Sequence, residues 1–78
     1  MRYKDEISGY IRKKYNVDNL QEDTSLFASG IIDSFGILDL VTYLEQKYSL
    51  RLESKDLTKE NLETVIDISR LVEAKKID

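Results

Sequence analysis

Two apolar patterns at helical spacing, joined by a long stretch without any period, limit what this chain can fold into. Tyr3, Ile7, Tyr10, Ile11 and Tyr15 fall on one face of a helix and fit no strand alternation. Asp5 and Glu6 near the start and Arg12, Lys13 and Lys14 near the end follow the charge order that complements the helix dipole. Asn16 is a plausible stop. The basic triplet could be read as a patch for an anionic ligand, but a solvated helix end accounts for it. Ile37, Leu40, Val41, Leu44 and Tyr48 repeat the pattern and predict a second amphipathic helix, from Asp33 or Ser34 to about Tyr48. The chain has no proline and only 3 glycines, which leaves little room for flexible linkers or many tight turns. An all-helical fold is the expectation.

The stretch from Asn16 to Asp33 is rich in turn and capping residues, among them Asp18, Asn19, Asp23, Thr24, Ser25, Ser29 and Gly30. It is long for a connection in so small a chain, and such loops have a purpose or a packing of their own. Val17, Leu20, Leu26, Phe27, Ile31 and Ile32 are candidate anchors that pin it over the core. A calcium loop at Asp18 to Asp23 is rejected, because the alternating oxygen ligands, central glycine and closing glutamate are absent. Beyond the second helix, Leu50 and Leu52 alternate with polar residues as an extended step into the core. Ser54 to Glu63 is ambiguous, with one short helix expected near Ser54 to Thr58. A last helix is expected after Thr64, which is placed to cap it with Asp67 three residues on, and it buries Val65, Ile68, Leu71 and Val72. The expected fold class is all-α: a small four-helix bundle with a short third helix and a long first loop, forming a single domain over 1–78.

Composition narrows the function. With 78 residues, 41% of them hydrophobic and 35% charged, the chain can build one compact core. There is no cysteine, hence neither a disulfide framework nor thiol chemistry. The absence of histidine removes the usual general base and the commonest metal ligand, so no catalytic residue and no metal site are expected. A net charge of -3 argues against nucleic acid as the main partner. No apolar run approaches a membrane span and the N-terminus lacks the apolar core of a secretory signal, so a cytoplasmic monomer without membrane insertion is the expectation.

One run, Gly30-Ile31-Ile32-Asp33-Ser34-Phe35-Gly36, does not follow from core building. It places a primary hydroxyl in the first turn of a helix, where free backbone N–H groups and a partial positive charge would stabilise an attached phosphodiester. A separate transferase could supply the base that this chain lacks. On a helical wheel Ser34 and Leu38 flank the core stripe, Phe35 and Thr42 lie further out, and Asp39, Glu45 and Gln46 border the strip. An exposed Phe and Leu beside a hydroxyl, rimmed by carboxylates, suit a docking surface. Two plainer readings stand beside this one. Asp-Ser pairs commonly do no more than start a helix, and Phe35 and Leu38 could pack under the loop.

The run resembles the phosphopantetheine attachment motif of acyl and peptidyl carrier proteins, in which the Ser of Asp-Ser-(Leu/Phe) carries the prosthetic arm. The likeness extends to Asp23-Thr24-Ser25-Leu26-Phe27-Ala28-Ser29-Gly30 in the loop, Leu40 to Tyr48 at the end of the second helix, and Thr64-Val65-Ile66-Asp67-Ile68 at the start of the last. It implies an acyl-carrier-like fold and a 4'-phosphopantetheine group, derived from CoA, attached covalently to Ser34. A phosphopantetheinyl transferase using magnesium would load the arm, and the terminal thiol of the arm would hold the cargo. An acyl- or aminoacyl-loading enzyme and a downstream transferase or synthase would then dock on the second helix, through Asp33, Phe35, Leu38 and Asp39 by position.

Departures from the family refine that expectation. Carriers of bulk fatty-acid synthesis are usually more acidic, with more carboxylates on the second helix and a polar or acidic residue where Gly36 stands. The Asp-Ser-Phe-Gly run looks closer to D-alanyl carriers of cell-wall teichoic acid modification, and Asp56-Leu57-Thr58-Lys59-Glu60-Asn61-Leu62 looks like stand-alone carriers that serve amino-acid, methoxymalonyl-type or peptide-synthetase-like assembly systems. The leading expectation is a non-catalytic carrier in a specialised pathway: polyketide, peptide-synthetase-like or D-alanylation. The alternatives are a fatty-acid carrier and, from a different class, a helical interaction module in which Ser34 is only an N-cap. An enzyme working through Tyr, Lys or carboxylates has no convergent set of groups behind it.

Overall fold

The computed structural model describes residues 2–76; Met1, Ile77 and Asp78 lie outside the described residues. Among these residues four α-helices follow in chain order: α1 (Arg2–Tyr15), α2 (Ser34–Tyr48), α3 (Lys59–Leu62) and α4 (Val65–Lys76), with a 3-10 turn at Ser54–Asp56. No strand occurs among the described residues. The all-α reading and the spans of the three longer helices agree with the periodicity.

Helices α1 and α2 stop in the same way. After α1, Asn16 turns left-handed (φ 55) and the Val17 amide reaches back to Arg12 O at 3.0 Å. After α2, Ser49 turns left-handed (φ 54) and the Leu50 amide reaches Glu45 O at 3.2 Å. Both satisfy carbonyls that a helix end leaves open. Asn tolerates this conformation better than most residues, whereas Ser has no such allowance.

One core joins all the elements. Ile7 and Ile11 from α1, Leu40, Leu44 and Tyr48 from α2, Leu62 from α3, and Val65, Ile68, Leu71 and Val72 from α4 are buried together with Leu52. Helix α4 packs against α1, α2 and α3 and so lies at the centre of the arrangement. Tyr48 meets the ring of Tyr3 edge-on at 5.2 Å and donates its hydroxyl to Glu6 at 2.7 Å. Burial and that hydrogen bond to Glu6 push the Tyr48 phenol far above its ordinary range.

The long loop is built into the fold. Leu20, Leu26 and Ile32 are buried, and Val17, Phe27 and Ile31 are half-buried against the same core. The backbone of the loop is tied to the junction between α3 and α4: the Leu26 amide donates to Glu63 O at 2.8 Å, and the Ile66 amide to Glu22 O at 3.2 Å. The Ser25 hydroxyl adds a hydrogen bond to the Glu63 carboxylate. Gly30 turns with φ 80, a conformation that L side chains avoid, before Ile32 donates back to Leu26 O at 3.0 Å.

The expected short helix near Ser54 to Thr58 requires correction. Only Ser54–Asp56 turns there, as 3-10, and the α-helical turn comes later at Lys59–Leu62. Two local caps cause the split. Asp56 bonds back to the Glu53 amide at 2.9 Å and closes the first turn, while the Thr58 hydroxyl accepts from the Asn61 amide at 3.2 Å and starts the second. Thr64 caps α4 as expected, accepting from the Asp67 amide at 3.1 Å and donating to the Asp67 carboxylate at 2.9 Å.

Candidate functional site

The site forms where the loop hands over to α2. Asp33 is extended (φ -109, ψ -170) and its Oδ1 accepts from the Gly36 amide at 2.9 Å, which makes Asp33 the N-cap. Ser34 is the first helical residue and is exposed. This corrects the reading of Ser34 as an N-cap: the capping bond belongs to Asp33, and the Ser34 hydroxyl has no hydrogen-bond partner among the described residues. The hydroxyl therefore stands in solvent at the positive end of a helix, with no structural duty of its own.

Beside it lies an apolar strip. Phe35 is 80% exposed and Leu38 is 64% exposed, so neither packs under the loop. Large apolar groups held in water beside a free hydroxyl are the kind of feature that marks a contact surface. Asp33 and Asp39 are exposed on the same part of the molecule. Asp39 also faces Lys14 of α1 at 3.9 Å, a loose, solvent-exposed pair of small energetic weight. Thr42 is exposed further along α2 and donates to Leu38 O at 2.9 Å.

Glu45 departs from its expected place on the rim of this strip. Its carboxylate accepts from the Leu52 amide at 2.9 Å and holds the extended step after α2, so it serves the fold. Asp33 and Asp39 remain as the exposed carboxylates flanking Phe35 and Leu38.

Two residues that the sequence reading left out of the site bear on it directly. Gly36 is buried, and a Cβ placed there would meet Tyr15 Oη at 2.8 Å and Ile32 Cγ2 at 3.1 Å. Tyr15, the last residue of α1, donates its hydroxyl to Gly36 O at 3.3 Å. The glycine is thus explained by the close approach of α1. The unusual Gly after Asp-Ser-Phe was the available signal, but nothing in the pattern names the tyrosine as its partner.

On the adjoining side of α2, one turn beyond Ser34, Ile37 lines an open groove with Phe27, Leu57, Thr58, Lys59 and Leu62. Its volume is about 300 Å³ and its walls are almost wholly apolar. Among the described residues no three His, Cys, Asp or Glu side chains converge as metal ligands, and no helix is long and apolar enough to cross a membrane.

A hydroxyl at a capped helix start, flanked by exposed apolar side chains in an all-α bundle, suits a small helical protein that carries a group covalently. The family described as phosphopantetheine attachment site matches residues 5–72, nearly the whole chain, and the chain belongs to that family. Among curated proteins no match was found. Membership makes it a phosphopantetheine carrier protein of a typically non-catalytic family, with 4'-phosphopantetheine as its covalent prosthetic group. It also implies interaction with a phosphopantetheinyl transferase and with the enzymes that load and unload the arm. The residues at the site fit such a group: an exposed hydroxyl, a helix start that favours phosphate, and an apolar groove nearby.

Proposed function

We propose that the chain is a single carrier domain over 1–78 whose Ser34 bears the arm. The observation that carries this reading is the Ser34 hydroxyl, exposed and without a hydrogen-bond partner among the described residues, at the first position of a helix already capped by Asp33. In the loading reaction Ser34 Oγ forms the new ester bond to the phosphate that enters with the arm. The pyrophosphate P–O bond of CoA would break, its 3',5'-ADP half would leave, and the serine proton would pass to a base on the transferase. Asp33 Oδ1 holds the Gly36 amide and so caps the helix that presents the serine. This chain contributes position and charge: the start of α2 would offer backbone N–H groups and a partial positive charge to an attached phosphodiester. The arm supplies the thiol on which cargo is held as a thioester.

Partner enzymes would dock across Asp33, Phe35, Leu38 and Asp39. Two exposed carboxylates, one of them facing Lys14, make a weakly charged rim around two strongly exposed apolar groups. Docking therefore relies more on apolar contact than on electrostatic steering. Such a surface, with a net charge of -3, supports service in a specialised acyl or aminoacyl pathway over bulk fatty-acid synthesis. Polyketide assembly, peptide-synthetase-like assembly and D-alanylation all fit that description, and the mass of the group carried by the protein from its own host chooses among them.

Incubation with CoA, magnesium and a broad-specificity phosphopantetheinyl transferase tests the assignment. The native chain should gain the mass of one arm, and Ser34→Ala should gain none. A native chain that stays unmodified while a control carrier is loaded removes the reading.

A further inference from the structure

We propose that Tyr15 is a positioning residue for modification at Ser34, its hydroxyl tethering the first turn of α2 to the end of α1. The proposal rests on Ser34 as the attachment point and adds a residue from another helix to the site.

The geometry around Gly36 carries it. Gly36 stands two residues after Ser34 and is held through both its amide and its carbonyl. Its amide donates to Asp33 Oδ1 at 2.9 Å, and its carbonyl accepts from Tyr15 Oη at 3.3 Å. The tyrosine oxygen also occupies the space that any side chain at position 36 would need, 2.8 Å from where a Cβ would stand. Asp33 by itself can start the helix. A cap is local, however, and does not decide where the start of α2 sits relative to the rest of the bundle. The tyrosine does, because its ring belongs to α1 and its hydroxyl ends on the backbone of the turn that presents Ser34.

Ser34 gives that arrangement its purpose. The serine hydroxyl has no hydrogen-bond partner among the described residues, so the backbone of its turn is what aims it. In-line transfer depends steeply on the placement of the attacking oxygen, and small displacements cost large factors in rate. The tether must also remain a donor. Burial, with further contributions from Tyr10, Asp39 and Asp33, raises the Tyr15 pKa and keeps the phenol protonated across the neutral range.

A residue that only packs would change the melting temperature of the chain and leave its quality as a substrate untouched once folded. The two roles separate in the kinetics of arm transfer from CoA, measured well below each melting midpoint with the carrier as the varied substrate. Tyr15→Phe keeps the ring and loses the hydroxyl. Its kcat should fall about fivefold, the scale of one hydrogen bond, with KM for the carrier within about twofold because Phe35 and Leu38 still present the docking strip. Gly36→Ala should lower kcat more in the native background than in the Tyr15→Phe background, where the oxygen that it strikes is gone. Unchanged kcat in Tyr15→Phe overturns the proposal, and so does a Gly36→Ala penalty equal in the two backgrounds. Should Tyr15→Phe fail to fold, Gly36→Ala alone decides, and a native kcat there overturns the tether. A native chain that accepts no arm is a separate result and overturns the assignment of Ser34.

Discussion

Replacing Phe35 or Leu38 with glutamate tests the proposed docking surface, because the structure sets the stability cost of these changes apart from that of any core change. Phe35 is 80% exposed and Leu38 is 64% exposed. Folding thus covers roughly a fifth of one and a third of the other, against about 1.5–3 kcal/mol for complete burial of such a side chain. The expected loss is below about 1 kcal/mol for each, a fall of no more than about 8 °C in a domain of this size. Leu40 is 0% exposed, and Leu40→Ala should cost about 3–5 kcal/mol, a fall of more than about 12 °C. Circular dichroism melts read stability, and intact mass against time reads arm transfer. The two glutamate variants should stay folded yet load at least about tenfold more slowly at limiting carrier, as expected when a carboxylate enters the apolar centre of an interface. A Phe35→Glu chain that melts as early as Leu40→Ala would place Phe35 in the core. Native loading by both glutamate variants would refute the docking role.

Two further outcomes concern the frame behind the site. Asp56 accepts from Lys75 at 2.7 Å, and this hydrogen bond, with that of the Glu53 amide, holds its carboxyl below the ordinary 3.8. Its contribution to stability is complete above pH 3.8 and is lost as pH falls through the lower folded value; Lys75, raised above 10.5 chiefly by the same bond, contributes below that pH and loses its share as pH rises through its higher folded value. Melting temperature followed against pH should therefore fall less steeply at both extremes in Lys75→Met than in the native chain, and parallel curves would refute the coupling. Ser25→Ala removes the hydroxyl that donates to Glu63 and should cost about 1 kcal/mol, with faster hydrogen exchange at the Leu26 amide. An unchanged melt and unchanged exchange would mean that the Ser25 hydroxyl does not help to hold the loop.

Much of this molecule is legible in its sequence for a definite reason. Helical periodicity reports which side chains share a face, and burying an apolar face dominates the energetics of a small bundle. The three longer helices follow from it, while the anchors Leu20, Leu26 and Ile32 show as apolar residues in a turn-rich stretch and the Thr64 cap as a hydroxyl with Asp67 three residues on. Finer choices do not. Asp33 and Ser34 are both good capping residues, and only backbone angles assign the cap to Asp33 and release the serine. Between Ser54 and Leu62 two short-range caps compete within one stretch, and neither leaves a periodic trace.

By itself, then, the sequence determined an all-α fold with a serine at a helix start, because spacing and composition are local properties of the chain, and its motif resembled that of carrier proteins. The tertiary structure decided which groups surround that serine. The exposure of Phe35 and Leu38, the recruitment of Glu45 by the Leu52 amide and the approach of Tyr15 to Gly36 depend on how separate helices meet. Periodicity tells a helix which face to bury, and says nothing of the neighbour it is buried against. The glycine beside the attachment motif is the clearest case: its reason for being glycine lies on another helix, at the far end of the long loop.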